Sequence, residues 1–130
     1  LANHWQDVAR DFEQNRVYLP QDSMRRFGVT EANLREPRAS VSFKALLAFE
    51  VERARTLFNE GLPLSQMVRG RARFDIELFS RGGLMILDAI KAIDYDVLRI
   101  RPTISTGRKL KLLAGVLFRA LFGGRHEIAA

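Results

Sequence analysis

The chain has 130 residues, of which 47% are hydrophobic and 28% charged, a composition that suits one folded domain and excludes an intrinsically disordered chain. It has no cysteine, which excludes disulfides, thiolate metal sites and thiol nucleophiles and is compatible with a reducing cytoplasm. The net charge of +6 favours anionic partners: diphosphates, nucleic acid or an anionic membrane surface.

The first twenty residues predict a two-faced helix that ends before Pro20, because a proline keeps the residue before it out of the helical region. One side is apolar and carries Leu1, Trp5, Val8, Ala9 and Phe12. On the other side Asn3, Asp7 and Asp11 lie one turn apart. Carboxylates at this spacing repel by about 0.2–0.5 kcal/mol, and a bound cation would reverse that sign. Since Mg²⁺ prefers oxygen ligands, the pattern indicates either a magnesium site or a solvated polar face.

Short helices follow. Asp22 or Ser23 can cap a helix over residues 24–27, which Gly28 would end. Thr30 with Asn33 predicts a further helical turn. We interpret this stretch as part of the same domain.

Two long helices are predicted next. Ser40 or Ser42 can cap a helix over residues 41–60, with an apolar stripe of Phe43, Leu47, Val51, Ala54 and Phe58. Ser65 begins a second helix that runs to about residue 93. Gly82 and Gly83 lie in its middle, where each costs up to about 1 kcal/mol relative to alanine. A close approach by another helix or a ligand would explain this cost, and a kink without function is the alternative.

The last predicted helix covers residues 108–122 and ends at Gly123 and Gly124, after an exit segment over residues 95–102 and a turn over 103–107. Four cations interrupt an apolar background, so the helix is either a core helix, which we favour, or a basic amphipathic helix on a membrane. No strand pattern is present, and the predicted fold class is all-α.

Several ordered blocks resemble the squalene/phytoene synthase family. The second aspartate-rich motif of that family and the segment after it resemble Asn3-His-Trp-Gln-Asp-Val-Ala-Arg-Asp11, Asn15-Arg-Val-Tyr-Leu-Pro-Gln-Asp22 and Arg26-Phe-Gly-Val29. Two later blocks, over residues 81–90 and 95–102, are also similar, and the resemblance fades after about Leu113.

The resemblance implies that residues 1–130 form the C-terminal portion of an isoprenoid-synthase-type helical bundle, in which two aspartate-rich helices share Mg²⁺ with a prenyl diphosphate. Asp7 and Asp11 would then be catalytic magnesium ligands, and Asn3 would belong to the same metal cluster and also bind substrate. Arg16 and Tyr18 would bind substrate, and a salt bridge and a packed ring are their structural alternatives. Five apolar residues suit a cavity wall or plain core: Phe43, Leu47, Phe79, Gly83 and Ile86.

Two departures from the family pattern indicate a branch. Gln6 and Gly83 stand where phytoene and squalene synthases often carry arginine and tyrosine. Both features resemble bacterial hydroxysqualene synthase of hopanoid biosynthesis, which would convert presqualene diphosphate with water as the final nucleophile and without NADPH. The alternatives are a phytoene or presqualene diphosphate synthase, or a non-enzymatic basic module using the cluster over residues 69–73.

The first aspartate-rich motif of the family has no counterpart here, because Asp94 and Asp96 are two residues apart and cannot form a helical pair. We therefore expect an inactive C-terminal half whose exposed apolar faces favour self-association and whose partner is the missing N-terminal half. We expect a cytoplasmic location and no nucleic-acid partner; peripheral contact with the inner face of the membrane, and a role of the last helix in it, stay open. A nucleophilic hydrolase is disfavoured, since His4 and His126 are the only histidines.

Overall fold

The computed structural model describes residues 1–122, and the predicted end of the last helix at Gly123 and Gly124, like His126, lies outside them. This part of the chain is all-α and contains no strand. Its helices are α1 (Ala2–Gln6), α2 (Val8–Glu13), α3 (Gln21–Phe27), α4 (Glu31–Leu34), α5 (Val41–Gly61), α6 (Leu64–Met67), α7 (Arg71–Ala92) and α8 (Thr106–Phe122).

The core lies between the two long helices α5 and α7. Ser40 caps α5 as predicted, since its hydroxyl accepts a hydrogen bond from the Phe43 backbone N–H at 3.1 Å. The predicted stripe of α5 is buried from Phe43 to Ala54, whereas Phe58 is only partly buried. Helix α5 packs against α7, α1 and α3, and the fully buried residues of the two long helices are Phe43, Leu46, Leu47, Val51, Leu87 and Ile90. Helix α7 also packs against α1, α6 and α8, so it is the central element of the described chain.

The connection between α2 and α5 holds two short helices, as predicted, with one different start. Helix α3 begins directly after Pro20, so neither Asp22 nor Ser23 is its cap. The Ser23 hydroxyl instead donates to the buried carboxylate of Glu50. Gly28 ends α3 with a φ of 68°, a left-handed conformation that favours glycine. Thr30 and Asn33 form the capping box of α4.

The continuous helix predicted from Ser65 to residue 93 is wrong. Helix α6 ends at Met67, Val68 is extended, and α7 begins only at Arg71. Gly70 lies between them with a φ of 66°, which an L side chain rarely adopts. The helix is broken there because the chain uses this glycine as a turn.

The exit segment after α7 is held by its acidic residues. Asp94 pairs with Lys44 at 2.8 Å, and buried Asp96 accepts a hydrogen bond from the Ala39 backbone N–H at 2.8 Å. Helix α8 then starts at Thr106, two residues before its predicted start. Val116 is the only buried residue of α8, so the prediction that α8 is a core helix holds only for the side that carries Val116.

Candidate functional site

The aspartate-rich segment is two short helices joined at Asp7, where one continuous helix was predicted. Asp7 has φ −106° and ψ 18°, which interrupts the helical dihedral angles. The hydrogen-bond ladder nevertheless continues, since the Asp7 N–H donates to the Asn3 carbonyl at 2.9 Å and the Asp11 N–H donates to the Asp7 carbonyl at 2.8 Å. The three residues therefore remain one turn apart along one side.

The opposite side of this segment anchors it to the bundle. Trp5 and Val8 are buried, and Phe12 packs against the core from a partly buried position. Leu1 is the exception to the predicted apolar side, because it is 53% exposed. The Gln6 side chain is also buried and donates to the backbone carbonyl of Pro102. These contacts fix the orientation of the segment, so that Asn3, Asp7 and Asp11 lie on the side that faces away from the core.

Asp7 is held by an arginine from the far end of the sequence. Arg101 Nε donates to Asp7 Oδ1 at 2.6 Å, and Arg101 Nη2 lies 3.5 Å from Oδ2. This hydrogen bond raises the pKa of the Arg101 guanidinium. Arg10 adds a weaker contact at 4.0 Å. The Asp7 carboxylate is thus oriented and its charge compensated, and a bound cation would have to share it with Arg101.

Three of the predicted site residues meet at one small cleft. Asp11, Arg16 and Tyr18 line it together with His4, and its volume of about 10 Å³ leaves room for about one water molecule. The rings of His4 and Tyr18 stack with centroids 4.1 Å apart. The Tyr18 ring therefore packs on His4, although the side chain remains partly exposed to solvent. Among residues 1–122, neither Asp11 nor Arg16 forms an ion pair.

Asn3 connects the acidic side to an apolar groove of about 270 Å³. Phe79, Gly83 and Ile86 line this groove, and Phe79 is 72% exposed. Phe43 and Leu47, the other two candidates for a cavity wall, are fully buried and belong to the core. A second groove, of about 370 Å³, continues beyond Phe79 along α5 and α6.

The glycine pair on α7 permits a close approach. A Cβ atom added at Gly83 would lie 2.8 Å from Phe58 Cε2, whereas the nearest atom to one added at Gly82 is Leu112 Cδ2 at 3.9 Å. The first of the two predicted explanations, a close approach by a neighbouring helix, therefore accounts for Gly83. The ring of Phe58 in turn contacts that of Phe79, with centroids 5.9 Å apart.

The donors on the acidic side fit one half of a magnesium site. Two carboxylates and one amide are the oxygen ligands that Mg²⁺ takes, usually together with water and substrate phosphate. Across the part of the chain that the structure describes, no three side chains of His, Cys, Asp or Glu converge into a metal cluster. A Mg²⁺ ion bound to these residues would therefore take its further ligands from water, a substrate or another part of the protein.

Residues 1–108 match the family model described as squalene/phytoene synthase. The chain belongs to the squalene/phytoene synthase family. The phytoene synthase of Thermus thermophilus is 35% identical over 128 residues, which cover 98% of this family member and 44% of that protein. The 15-cis-phytoene synthase of Synechococcus elongatus is 31% identical, with coverages of 92% and 39%.

Two solved structures extend the similarity to the fold. A dehydrosqualene synthase in complex with ligand superposes with a TM-score of 0.77 and 25% identity, over 90% of this family member and 41% of that chain. The squalene synthase HpnC from Alicyclobacillus acidocaldarius gives a TM-score of 0.68 and 38% identity, with coverages of 72% and 36%. The chain therefore spans less than half the length of each of these four proteins.

Two features of this family member were not anticipated from the sequence. The first is Arg101, although it lies inside the block over residues 95–102 that resembles the family. The second is buried Glu77, which accepts hydrogen bonds from Arg81 Nε at 2.9 Å and from Arg119 Nε of α8. Burial raises the pKa of Glu77, but the hydrogen bonds from Arg119 and Arg81 outweigh it, and the pKa is lowered. The sequence did contain a signal for the contact with Arg81, because a glutamate four residues before an arginine on a helix favours an ion pair.

Proposed function

We propose that this chain is the C-terminal half of a Mg²⁺-dependent synthase that acts on prenyl diphosphates. The observation that carries the proposal is the alignment of Asn3, Asp7 and Asp11 along one side of the α1–α2 segment, where Asn3 is exposed and both aspartates are partly exposed, next to an apolar groove. A prenyl diphosphate has the same two parts, a charged head and an apolar tail. The family and its named relatives support this assignment.

In this proposal Asn3, Asp7 and Asp11 hold Mg²⁺ with their side-chain oxygens. Bound Mg²⁺ would neutralise the charge that develops on the leaving diphosphate. Arg16 and Tyr18 border the Asp11 cleft, and Arg16 would bind diphosphate oxygens by charge-assisted hydrogen bonds. Arg101 is the positioning residue for Asp7, because it fixes both carboxylate oxygens.

The groove beside Asn3 would form part of the cavity wall. Loss of diphosphate leaves a carbocation, which an apolar wall protects from premature reaction with water. Phe79, Gly83 and Ile86 supply such a wall on α7. The exposure of Phe79 and of Met67, at 72% and 79%, supports a second wall contributed by the other half of the protein.

We propose the conversion of presqualene diphosphate to hydroxysqualene as the specific reaction. The carbon–oxygen bond to diphosphate breaks, water adds to the resulting carbocation, and one proton is released. Gln6 and Gly83 support this branch, as does the 38% identity to the solved structure of squalene synthase HpnC. The curated relatives are instead named phytoene synthase, which keeps phytoene or presqualene diphosphate synthesis as the alternative.

The proposal has one consequence for this chain and one for the complete protein. With half of the metal site it should be inactive alone and should need the N-terminal half as its partner. Because a prenyl substrate is apolar, we also propose that the complete protein makes peripheral contact with a membrane. No helix within residues 1–122 is long and apolar enough to cross one.

The test uses the complete polypeptide with presqualene diphosphate and Mg²⁺, with release of diphosphate and hydroxysqualene as the readouts. Asp7→Asn and Asp11→Asn should each lower turnover on the order of 10²–10³-fold, since metal neutralisation of a leaving group contributes several kcal/mol. Asp75→Asn, at an exposed position of α7, removes the same charge and should leave turnover unchanged.

Unaltered turnover in both aspartate variants would refute the magnesium roles. Formation of phytoene or presqualene diphosphate from simpler prenyl diphosphates, without conversion of presqualene diphosphate, would select the alternative reaction. Salt-sensitive binding of duplex DNA together with no turnover of any prenyl diphosphate would favour the non-enzymatic module with its cluster over residues 69–73.

A further inference from the structure

Helix α8 carries an apolar stripe that the rest of the described chain leaves uncovered. Its exposed large apolar residues are Leu110, Leu113, Leu117, Phe118, Leu121 and Phe122, with exposed fractions of 37–74%. The inner side of α8 packs against α7 through buried Val116 and through the Arg119–Glu77 ion pair. The stripe therefore runs along the outer side of a helix that is itself anchored in the bundle.

Lysines flank the Leu110–Leu117–Leu121 part of this stripe on both sides. Lys109 and Lys111 are the sequence neighbours of Leu110, so they project about 100° to either side of it on the helix. Both are exposed, and within the described chain neither lies in an ion pair. A lysine in this place can lay its methylene stem along the apolar surface while its ammonium reaches the polar layer.

The charge of α8 has one sign. Residues 106–122 contain Arg108, Lys109, Lys111 and Arg119 and no acidic residue. Arg108 and Lys111 also line a groove of about 540 Å³ between α7 and α8. An amphipathic helix with a basic polar side and Leu and Phe on its apolar side is the pattern that lies in a lipid interface.

The other exposed apolar face of the molecule has a different form. Around Phe79 and Leu57 the surface is grooved, and Asn3 lies at its edge. That face fits a substrate cavity completed by more protein. On α8, lysines flank the Leu110–Leu117–Leu121 part of the stripe and every charged residue of the helix is basic, so this side is complementary to an anionic surface.

We propose that α8 docks the protein on anionic phospholipid, with the Leu110–Leu117–Leu121 stripe in the acyl boundary and Lys109 and Lys111 on headgroup phosphates. This inference deepens the peripheral contact proposed above by naming its element and its lipid class. Since α8 lies apart from Asn3, Asp7 and Asp11 in the sequence and lines a different groove, docking and catalysis can be tested separately.

The experiment is sedimentation of the complete polypeptide with vesicles. Phosphatidylcholine vesicles containing phosphatidylglycerol should bind it, and phosphatidylcholine alone should bind it much more weakly. The Lys109→Gln/Lys111→Gln variant should lose roughly 30-fold in partitioning at low salt, and high salt should narrow that difference. The Leu117→Trp variant should show a blue-shifted emission on anionic vesicles.

The matched control is Arg69→Gln/Arg71→Gln, which removes the same charge from two exposed residues, one in the turn before α7 and one at the start of α7, and should keep wild-type partitioning. Equal loss in both double variants, equal binding to both vesicle types, no binding, or an unshifted Leu117→Trp emission would each overturn the proposal. Turnover of substrate in detergent should be unchanged by Lys109→Gln/Lys111→Gln, so failure to dock leaves the proposed reaction intact.

Discussion

Alanine at the two adjacent glycines of α7 should change stability in opposite directions. In the middle of a helix, Gly→Ala stabilises by up to about 1 kcal/mol, because alanine loses less backbone entropy. At Gly82 the nearest atom to the new Cβ is Leu112 Cδ2 at 3.9 Å, an ordinary van der Waals distance. Gly82→Ala should therefore realise most of this gain.

At Gly83 the same methyl group meets the ring of Phe58, with Cε1 at 2.7 Å and Cε2 at 2.8 Å. Carbon atoms prefer about 3.5–4.0 Å, so the ring or the helix must move. Overpacking of this kind costs about 1–3 kcal/mol. After the helical gain is subtracted, Gly83→Ala should destabilise by roughly 1 kcal/mol, and the two variants should differ by roughly 2 kcal/mol.

Urea denaturation followed by circular dichroism measures both variants in the same buffer. A double-mutant cycle with Phe58→Leu then tests the cause, since the smaller side chain should remove most of the penalty at Gly83. If Gly83→Ala proved as stable as Gly82→Ala, or if Phe58→Leu left its penalty unchanged, the close approach would not explain this glycine.

Two further predictions concern stability. Glu77→Gln should cost about 1–2 kcal/mol at pH 7, because hydrogen bonds to charged groups are worth about 1.5–3 kcal/mol each and both arginines are partly exposed. Since the folded-state pKa of Glu77 is lowered, its contribution is present above the ordinary value of 4.5 and is lost as the pH falls through the folded value. The difference between the urea midpoints of the two proteins should thus be constant above pH 4.5 and should shrink as the pH falls below it, and a difference that does not shrink on acidification would contradict this. Ser40→Ala should cost about 1 kcal/mol, because it removes the side-chain cap of α5. Ser42→Ala, at the second residue of the same helix, should cost little. Equal losses of stability in urea denaturation would contradict the capping role of Ser40.

Local patterns in the sequence were sufficient for most helices. The stripe from Phe43 to Ala54 predicted the buried side of α5, and Thr30 with Asn33 predicted a helical turn, which the structure contains as α4 with a capping box. Such features depend on residues three or four apart, which the helix itself brings together. The sequence did not predict the helix breaks at Asp7 and Gly70, because a periodic pattern does not reveal which backbone dihedral angles a glycine or an aspartate within it adopts.

The family and the order of the site residues also came from the sequence. Asn3, Asp7 and Asp11 are separated by single helical turns, so their common side follows from spacing, and their roles as magnesium ligands stay a prediction. The sequence could not show that Arg101 holds Asp7, because 94 positions separate them and only the packed bundle brings their side chains together.

Tertiary structure alone decided which apolar residues are core and which are surface. Phe43 and Phe79 carry the same side chain in similar helical patterns, yet one is fully buried between α5 and α7 and the other is 72% exposed. The same holds for α8, where Val116 is buried and Leu117 is not. Hydrophobicity determines that a side chain favours burial, whereas the neighbours that exclude water from it are set by how the helices pack.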